Sequence, residues 1–252
     1  MNHSRVTLQP AYVLHQRPYR DTSSLIEVFT PSFGRVGIVA KGSRSAKSRM
    51  QGLLQPFQAL LVSWSGRGEL VTLTGCESGG PPRQLAGQVL VSGFYMSELL
   101  LRLLHRHDPH PVLFQAYSEA LAALDQTNQQ QRALRIFEKR LLQELGYALI
   151  LDHQADTGEP LVADSVYNYE LEKGPLPHDT LNEHELTLHG RSLMSLANEE
   201  LNDTLSLRES KRLTRAALAL YLGGKPLHSR KLLADLHKAT HYKDPATDPA
   251  RV

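Results

Sequence analysis

The amino-acid sequence predicts an α+β chain, with β-structure over about the first 80 residues and helices after it, interrupted by a small β and loop insertion. Three observations predict this. Up to Glu77, short runs rich in β-branched and aromatic residues alternate with turns containing Gly or Pro. The segment ESGGPPRQL (77–85) then interrupts the pattern, and beyond it the apolar spacing changes from a strand period to a helical one.

The strand candidates are AYVLHQ (11–16), SLIEVFT (24–30), RVGIVA (35–40), PFQALLVSW (56–64) and ELVTLTGCE (69–77). TPSFGR and SGRGE place Pro and Gly between neighbouring runs, which predicts two hairpins behind one lead strand. That element count fits an N-terminal five-stranded OB-fold β-barrel, whose loops commonly hold oligonucleotides, and an SH3-like barrel fits it too. The helical candidates begin with 85–107, then 111–126 opening on Pro111, then 130–146 closing on Gly146. Residues 149–189 break the helical pattern with DTGEP and EKGPLP around the alternating SVYNYELE, so a loop-rich insertion with a β-hairpin is expected. Helices resume at 191–201, 206–222 (stopped by Gly223 and Gly224) and 229–239. The expected division is an OB-fold domain over 1–80, a helical domain over 81–240 and a flexible tail over 241–252.

With 41% apolar and 21% charged residues among 252, the composition is that of a soluble globular protein with a sizeable core. No apolar run approaches the roughly 20 residues a bilayer span needs, and MNHSRVTLQP lacks a signal-peptide core, so a cytoplasmic location is expected. The single cysteine, Cys76, excludes an internal disulfide and a CxxC zinc site, and reads as a small core residue. The net charge of +2 hides a strong segregation. No acid lies between Glu27 and Glu69, where Arg35, Lys41, Arg44, Lys47, Arg49 and Arg67 all fall. From Glu144 to Glu209 acids dominate, with only Lys173, Arg191 and Arg208 against them, and after Ser210 bases dominate again. Such segregation creates local positive potentials that a polyanion would sense.

Enzyme signatures are missing. Gly37 and Gly42 have phosphate-loop spacing, but Ser43 occupies the lysine position, and neither a GxSxG elbow nor an HExxH helix occurs. HRHDPH offers His105, His107, Asp108 and His110, of which only His107 and His110 have a helical spacing, so a solvated helix end outweighs a metal site. No cofactor and no metal are expected.

AKGSRSAKSRM (40–50) mixes cations, hydroxyls and a glycine, groups that bond phosphate oxygens without reading a base. Its setting between two strands of a barrel, inside an acid-free stretch, favours a nucleic-acid contact over a plain connector; RNA remains an alternative ligand to DNA. Arg208, Lys211, Arg212 and Arg215 have helical spacings that give them a common face, and Lys225, Arg230 and Lys231 follow nearby. Tyr19, Phe33 and Trp64 could stack bases, or fill a barrel core.

YVLHQRPYRDTSSLIEVFTPSFGRVGIVAKGSRSAKSRMQGLLQPF, then LRIFEKRLLQELGY and YLGGKPLHSRKLL, together resemble the bacterial RecO family of recombination and repair proteins over nearly the whole chain. The resemblance implies a non-enzymatic, nucleoid-associated mediator that binds single- and double-stranded DNA and anneals complementary strands. It also implies a partnership with RecR in loading RecA onto strands coated by single-stranded DNA-binding protein (SSB). Carried over by position, Lys41, Arg44, Lys47 and Arg49 correspond to the family's basic OB loop, and Lys211, Arg212 and Arg215 to a basic helix proposed to contact DNA; Arg35, in the same acid-free stretch, is a further candidate contact. Arg135 matches the arginine that receives the acidic C-terminal tail of SSB, although composition and spacing alone make it an ordinary helix-surface residue. The region that holds a four-cysteine zinc module in many relatives has no cysteine here, as in the zinc-free members.

Overall fold

Residues alternating between two faces of each strand build the N-terminal part. The computed structural model describes residues 5–46, 48–126, 128–178 and 186–241. β1 (Arg5–Tyr19), β2 (Ser23–Thr30), β3 (Gly34–Ala40), β4 (Leu60–Ser65) and β5 (Leu70–Ser78) close a barrel in the order β1-β2-β3-β5-β4. β1 pairs with both β2 and β4, and only β3 and β5 run parallel, a Greek-key arrangement of the OB type. Val13, Ile26, Val28, Val36, Ile38 and Val62 point inward and are at most 2% exposed. Cys76 packs against this core, and burial, then the Glu77 charge, push its thiol up to about 11.

Three local expectations are corrected. β1 is far longer than 11–16, because register shifts near Val6/Gln9 and Val13/His15 bend one strand to serve two neighbours. β4 begins at Leu60 and not at 56, since Phe57 takes a positive φ of 67° and turns the chain. A single helical turn, α1 (Met50–Leu53), follows the basic loop, too short to leave a periodic signal.

The helices are α2 (Gly87–Leu103), α3 (Pro111–Leu124), α4 (Gln130–Glu144), α5 (Gly190–Ala197), α6 (Thr204–Tyr221) and α7 (His228–His241). Between α4 and α5 lies a three-stranded sheet ordered β7-β6-β8, from β6 (Val166–Glu170), β7 (Gly174–Pro177) and β8 (Thr187–His189). The expected hairpin is β6 with β7; β8 was not foreseen because its three residues carry no alternation. The tail expected to be flexible lies, from residue 242 on, outside the described residues. Among the described residues no helix is long and apolar enough to cross a membrane.

The barrel's outward residues on β1 to β3 face the helices. Tyr12 and Phe29 pack on Phe114 and Tyr117 with ring centroids 5.3 to 6.4 Å apart, and Tyr12 Oη shares a 2.8 Å hydrogen bond with Ser118 Oγ. Phe29 and Tyr117 are 0% exposed, and burying each such ring contributes about 1.5–3 kcal/mol. Around this contact Glu27 pairs with Arg35 and Arg106, and Arg106 reaches Glu69 at 3.1 Å. Gly34, at the β2–β3 turn with φ +60°, admits the α2–α3 loop so closely that a Cβ there would lie 2.0 Å from Asp108 O.

Candidate functional site

The basic loop leaves β3 at the end of the barrel where β1 turns into β2. Its backbone is tied down. Ser43, 1% exposed, donates to Ser24 Oγ at 2.9 Å; Arg44 N donates to Thr22 O at 2.8 Å; and Ser45 donates through N and Oγ to Gly42 O. With the small residues anchoring inward, the side chains of Lys41, Arg44 and Arg49 are exposed. Lys47 lies outside the described residues. Arg44 Nη1 donates to Arg20 O at 3.2 Å, which brings the β1–β2 turn alongside. Arg20, also exposed, sits 5.3 Å from the Tyr19 ring centroid and joins the cationic patch. Sequence reasoning missed Arg20 because it precedes Glu27, the edge of the acid-free stretch; the topology of a barrel, in which the β1–β2 turn meets the end of β3, was the available signal.

Arg35 is not part of that patch. It projects from the outer face of β3 and donates through Nη1 to Leu101 O and Leu104 O at 2.6 and 2.7 Å, the last carbonyls of α2. Its Nη2 pairs with Glu27, and burial lowers its pKa despite that partner. Trp64, 3% exposed, and Phe33 meet edge to face at 5.2 Å against the barrel core and line a cavity with Arg67, so Tyr19, beside Arg20, is the stacking candidate that adjoins the loop patch.

The second site is a groove of about 490 Å³ between α2, α4, α6 and α7. Val91, Leu134 and Leu233 give it apolar walls, and Arg135, Lys211, Arg215 and Arg230 line it with cations. The α4 stripe explains the first of these. Leu134, Phe137, Glu138 and Leu141 recur at helical spacing and all are buried, so Glu138 is carried into the interior with Arg135 beside it. Glu138, 0% exposed, accepts from Tyr95 Oη at 2.7 Å, from Arg135 Nη2 at 2.5 Å and from Thr214 Oγ1. Burial, then the Glu138 charge, push the Tyr95 phenol up, so it stays a donor.

Arg135 is therefore not a helix-surface residue: it is 3% exposed. Its Nε and Nη1 are buried and have no hydrogen-bond partner among the described residues, and the side chain lines the groove. Lys211 and Arg215 stand one turn apart on the exposed side of α6. Burial, then the charges of Arg135 and Arg215, hold the Lys211 ammonium below its ordinary range. The common face expected for the α6 cations divides: Lys211 and Arg215 join Arg135, while Arg212 donates to Thr187 O at 3.3 Å, toward β8. Among the described residues no barrel residue lines the groove. No group of three His, Cys, Asp or Glu side chains among the described residues is arranged to hold a metal ion; His110 pairs with Asp108 at 3.3 Å and Glu144 at 3.7 Å.

A five-stranded Greek-key barrel set on a helical body defines an OB-fold protein, here with two cationic sites of different build. Residues 2–81 match the family model described as recombination protein O N terminal, and residues 86–231 the one described as recombination protein O C terminal. The chain is 52% identical to a DNA repair protein RecO of Nitrosococcus oceani over 93% of its own length and 95% of that relative's. It is 46% identical to the protein of that name from Alkalilimnicola ehrlichii over 98% of both chains, and 45% identical to that of Nitrosospira multiformis over 93% and 97%. The chain belongs to the RecO family. Its role is in DNA repair and recombination, not in a catalysed reaction.

Proposed function

We propose that this chain is a recombination mediator that binds single- and double-stranded DNA through the barrel-end cations and anneals complementary strands. In the same reading its helical groove captures the acidic C-terminal tail of SSB, and with RecR it helps load RecA onto SSB-coated strands in the cytoplasm. The division into an OB domain over 1–80 and a helical domain over 81–240 belongs to this reading, and the two family matches support it.

The observation that carries the reading is the difference between the two cationic sites. At the barrel end, exposed Lys41, Arg44, Arg49 and Arg20 surround a loop whose backbone is already fixed. Such a surface grips phosphates without reading bases, which suits a protein that handles any strand. The groove instead sets unpartnered N–H groups of a buried arginine among apolar walls, which fits a peptide end combining acids with an apolar side chain.

Replacing Lys41, Arg44, Lys47 and Arg49 together by Ala tests the first site. Each lost phosphate contact lowers the slope of log K against log salt by about 0.7 on single strands. Binding and annealing should both weaken and the slope should flatten, with the melting temperature retained. A variant that anneals like the parent would sink the loop assignment. For the groove, Arg135→Ala should lose affinity for an SSB-tail peptide.

A further inference from the structure

α7 forms one wall of the groove, and α2 fixes the first turn of that helix. Glu98 on α2 accepts three hydrogen bonds there: from His228 N at 2.9 Å, from Ser229 N at 2.9 Å and from Ser229 Oγ at 2.7 Å. Arg102, paired with Glu98 at 2.9 Å, donates to Lys225 O and Pro226 O at 2.9 and 2.8 Å and so holds the segment that enters α7. The residue after this fixed turn is Arg230. Its guanidinium lies 5.9 Å from the Tyr95 ring centroid, it lines the groove, and its buried Nη2 has no hydrogen-bond partner among the described residues. Among the described residues, the groove's buried N–H donors to spare belong to two guanidinium groups, Arg135 on α4 and Arg230 on α7.

We infer that Arg230 is a second recognition residue of this groove, reading a negative charge of the peptide other than the one taken by Arg135, and that Glu98 positions it. The inference rests on the acidic-tail reading of the groove. An anion beside Arg230 would meet a cation already stripped of part of its hydration, where a charge-assisted hydrogen bond is strong. Glu98 does not line the groove; it acts by holding the helix that carries Arg230.

The test uses the full chain and a short synthetic peptide with aspartates before an apolar C-terminal residue, alongside versions with single aspartates changed to asparagine. Fluorescence anisotropy gives the affinities. The parent should prefer one aspartate over its asparagine counterpart by about tenfold, the value of one charge-assisted bond. Arg230→Ala should abolish that preference, while Arg135→Ala weakens both peptides alike. Glu98→Gln should reduce the preference severalfold, and the Glu98→Gln, Arg230→Ala double variant should bind no worse than Arg230→Ala, because the first residue acts through the second. An Arg230→Ala variant that keeps the full preference, in a protein whose parent binds the peptide and whose Arg135→Ala does not, overturns the inference and leaves the reading intact. A parent that binds none of the peptides overturns both.

Discussion

Glu138→Gln isolates the charge of the buried network from its shape. Glutamine keeps an acceptor toward Tyr95 and Arg135, and its amide can donate to Thr214, whose hydroxyl then donates to Ser210 O, 2.9 Å away. What disappears is the negative charge that neutralises Arg135, whose side chain is 4% exposed against 0% for Glu138. Removing one partner of a buried pair costs about 3–5 kcal/mol, and with the hydrogen bonds preserved the lower end, about 3 kcal/mol, applies. For a chain of this size about 1 kcal/mol moves the melting temperature by about 2–4 °C, so a fall of about 6–12 °C is expected in thermal unfolding followed by circular dichroism. The companion variant Arg135→Met, Glu138→Gln removes both charges and should melt above Glu138→Gln alone, since no buried cation is then left without its partner. Affinity for an acidic peptide should move the other way, rising severalfold in Glu138→Gln, because the groove loses its only buried anion near Arg135 among the described residues. A Glu138→Gln variant melting within about 1 °C of the parent, or a double variant melting below it, would refute the coupled-pair argument.

Gly34→Ala should cost more than about 2 kcal/mol, because the residue sits at φ +60° and a Cβ would meet the Asp108 carbonyl at 2.0 Å; urea unfolding measures it, and a neutral result would contradict this packing of barrel on helices. Glu27→Ala leaves Arg35 and Arg106 facing each other without their shared carboxylate, and should destabilise by about 2 kcal/mol in the same assay. Glu98 supplies a pH test. Burial alone would raise its carboxyl, but hydrogen bonds from Ser229 and His228 and the Arg102 charge together hold it below the usual glutamate range. A carboxylate depressed in the folded state adds stability above its unfolded pKa and loses it as pH falls through the folded value. The protection of α7 amides, relative to their intrinsic exchange rate at each pH, should therefore hold through the ordinary glutamate range and fall only below it, whereas Glu98→Gln removes that pH step.

Much of the fold was legible because local chemistry and tertiary structure agreed. The Pro-Gly and Gly-Gly separators became the β2–β3 and β4–β5 hairpins, and the three helices after residue 85 follow their apolar stripes. Elements that draw on distant partners were not legible. α1 and β8 are too short for a period, and the length of β1 is set by pairing with β4, some fifty residues away in sequence. The sites divide in the same way. The loop cations could be read because exposure follows from composition, but Arg35 could not be separated from them, since its fate depends on the carbonyls at the end of α2. Arg135 was misread as surface, although the sequence held a clue: Glu138 occupies an apolar-stripe position, and an acid there needs a buried cation within reach. That Lys211 and Arg215 part company with Arg212 is a matter of which neighbours α6 meets.

The two cationic sites also differ in what salt can do to them. Lys41, Arg44 and Arg49 stand in water, where roughly 0.15 M salt screens charges beyond about 8 Å and competing ions displace phosphates. Arg135 is withdrawn from water, and the walls of its groove add apolar burial that salt does not weaken. A grip through the loop is therefore broad and readily released, and one through the groove is narrow and persistent. The family resemblance implies DNA contacts at both basic regions; among the described residues no barrel residue lines the groove, and Lys211 and Arg215 share it with Arg135. An acidic tail seated there would cover these two cations, so any hold of α6 on DNA phosphates and capture of the tail must exclude one another. The loop, at the far end of the barrel from the β2–β3 turn, would keep its strand in either case.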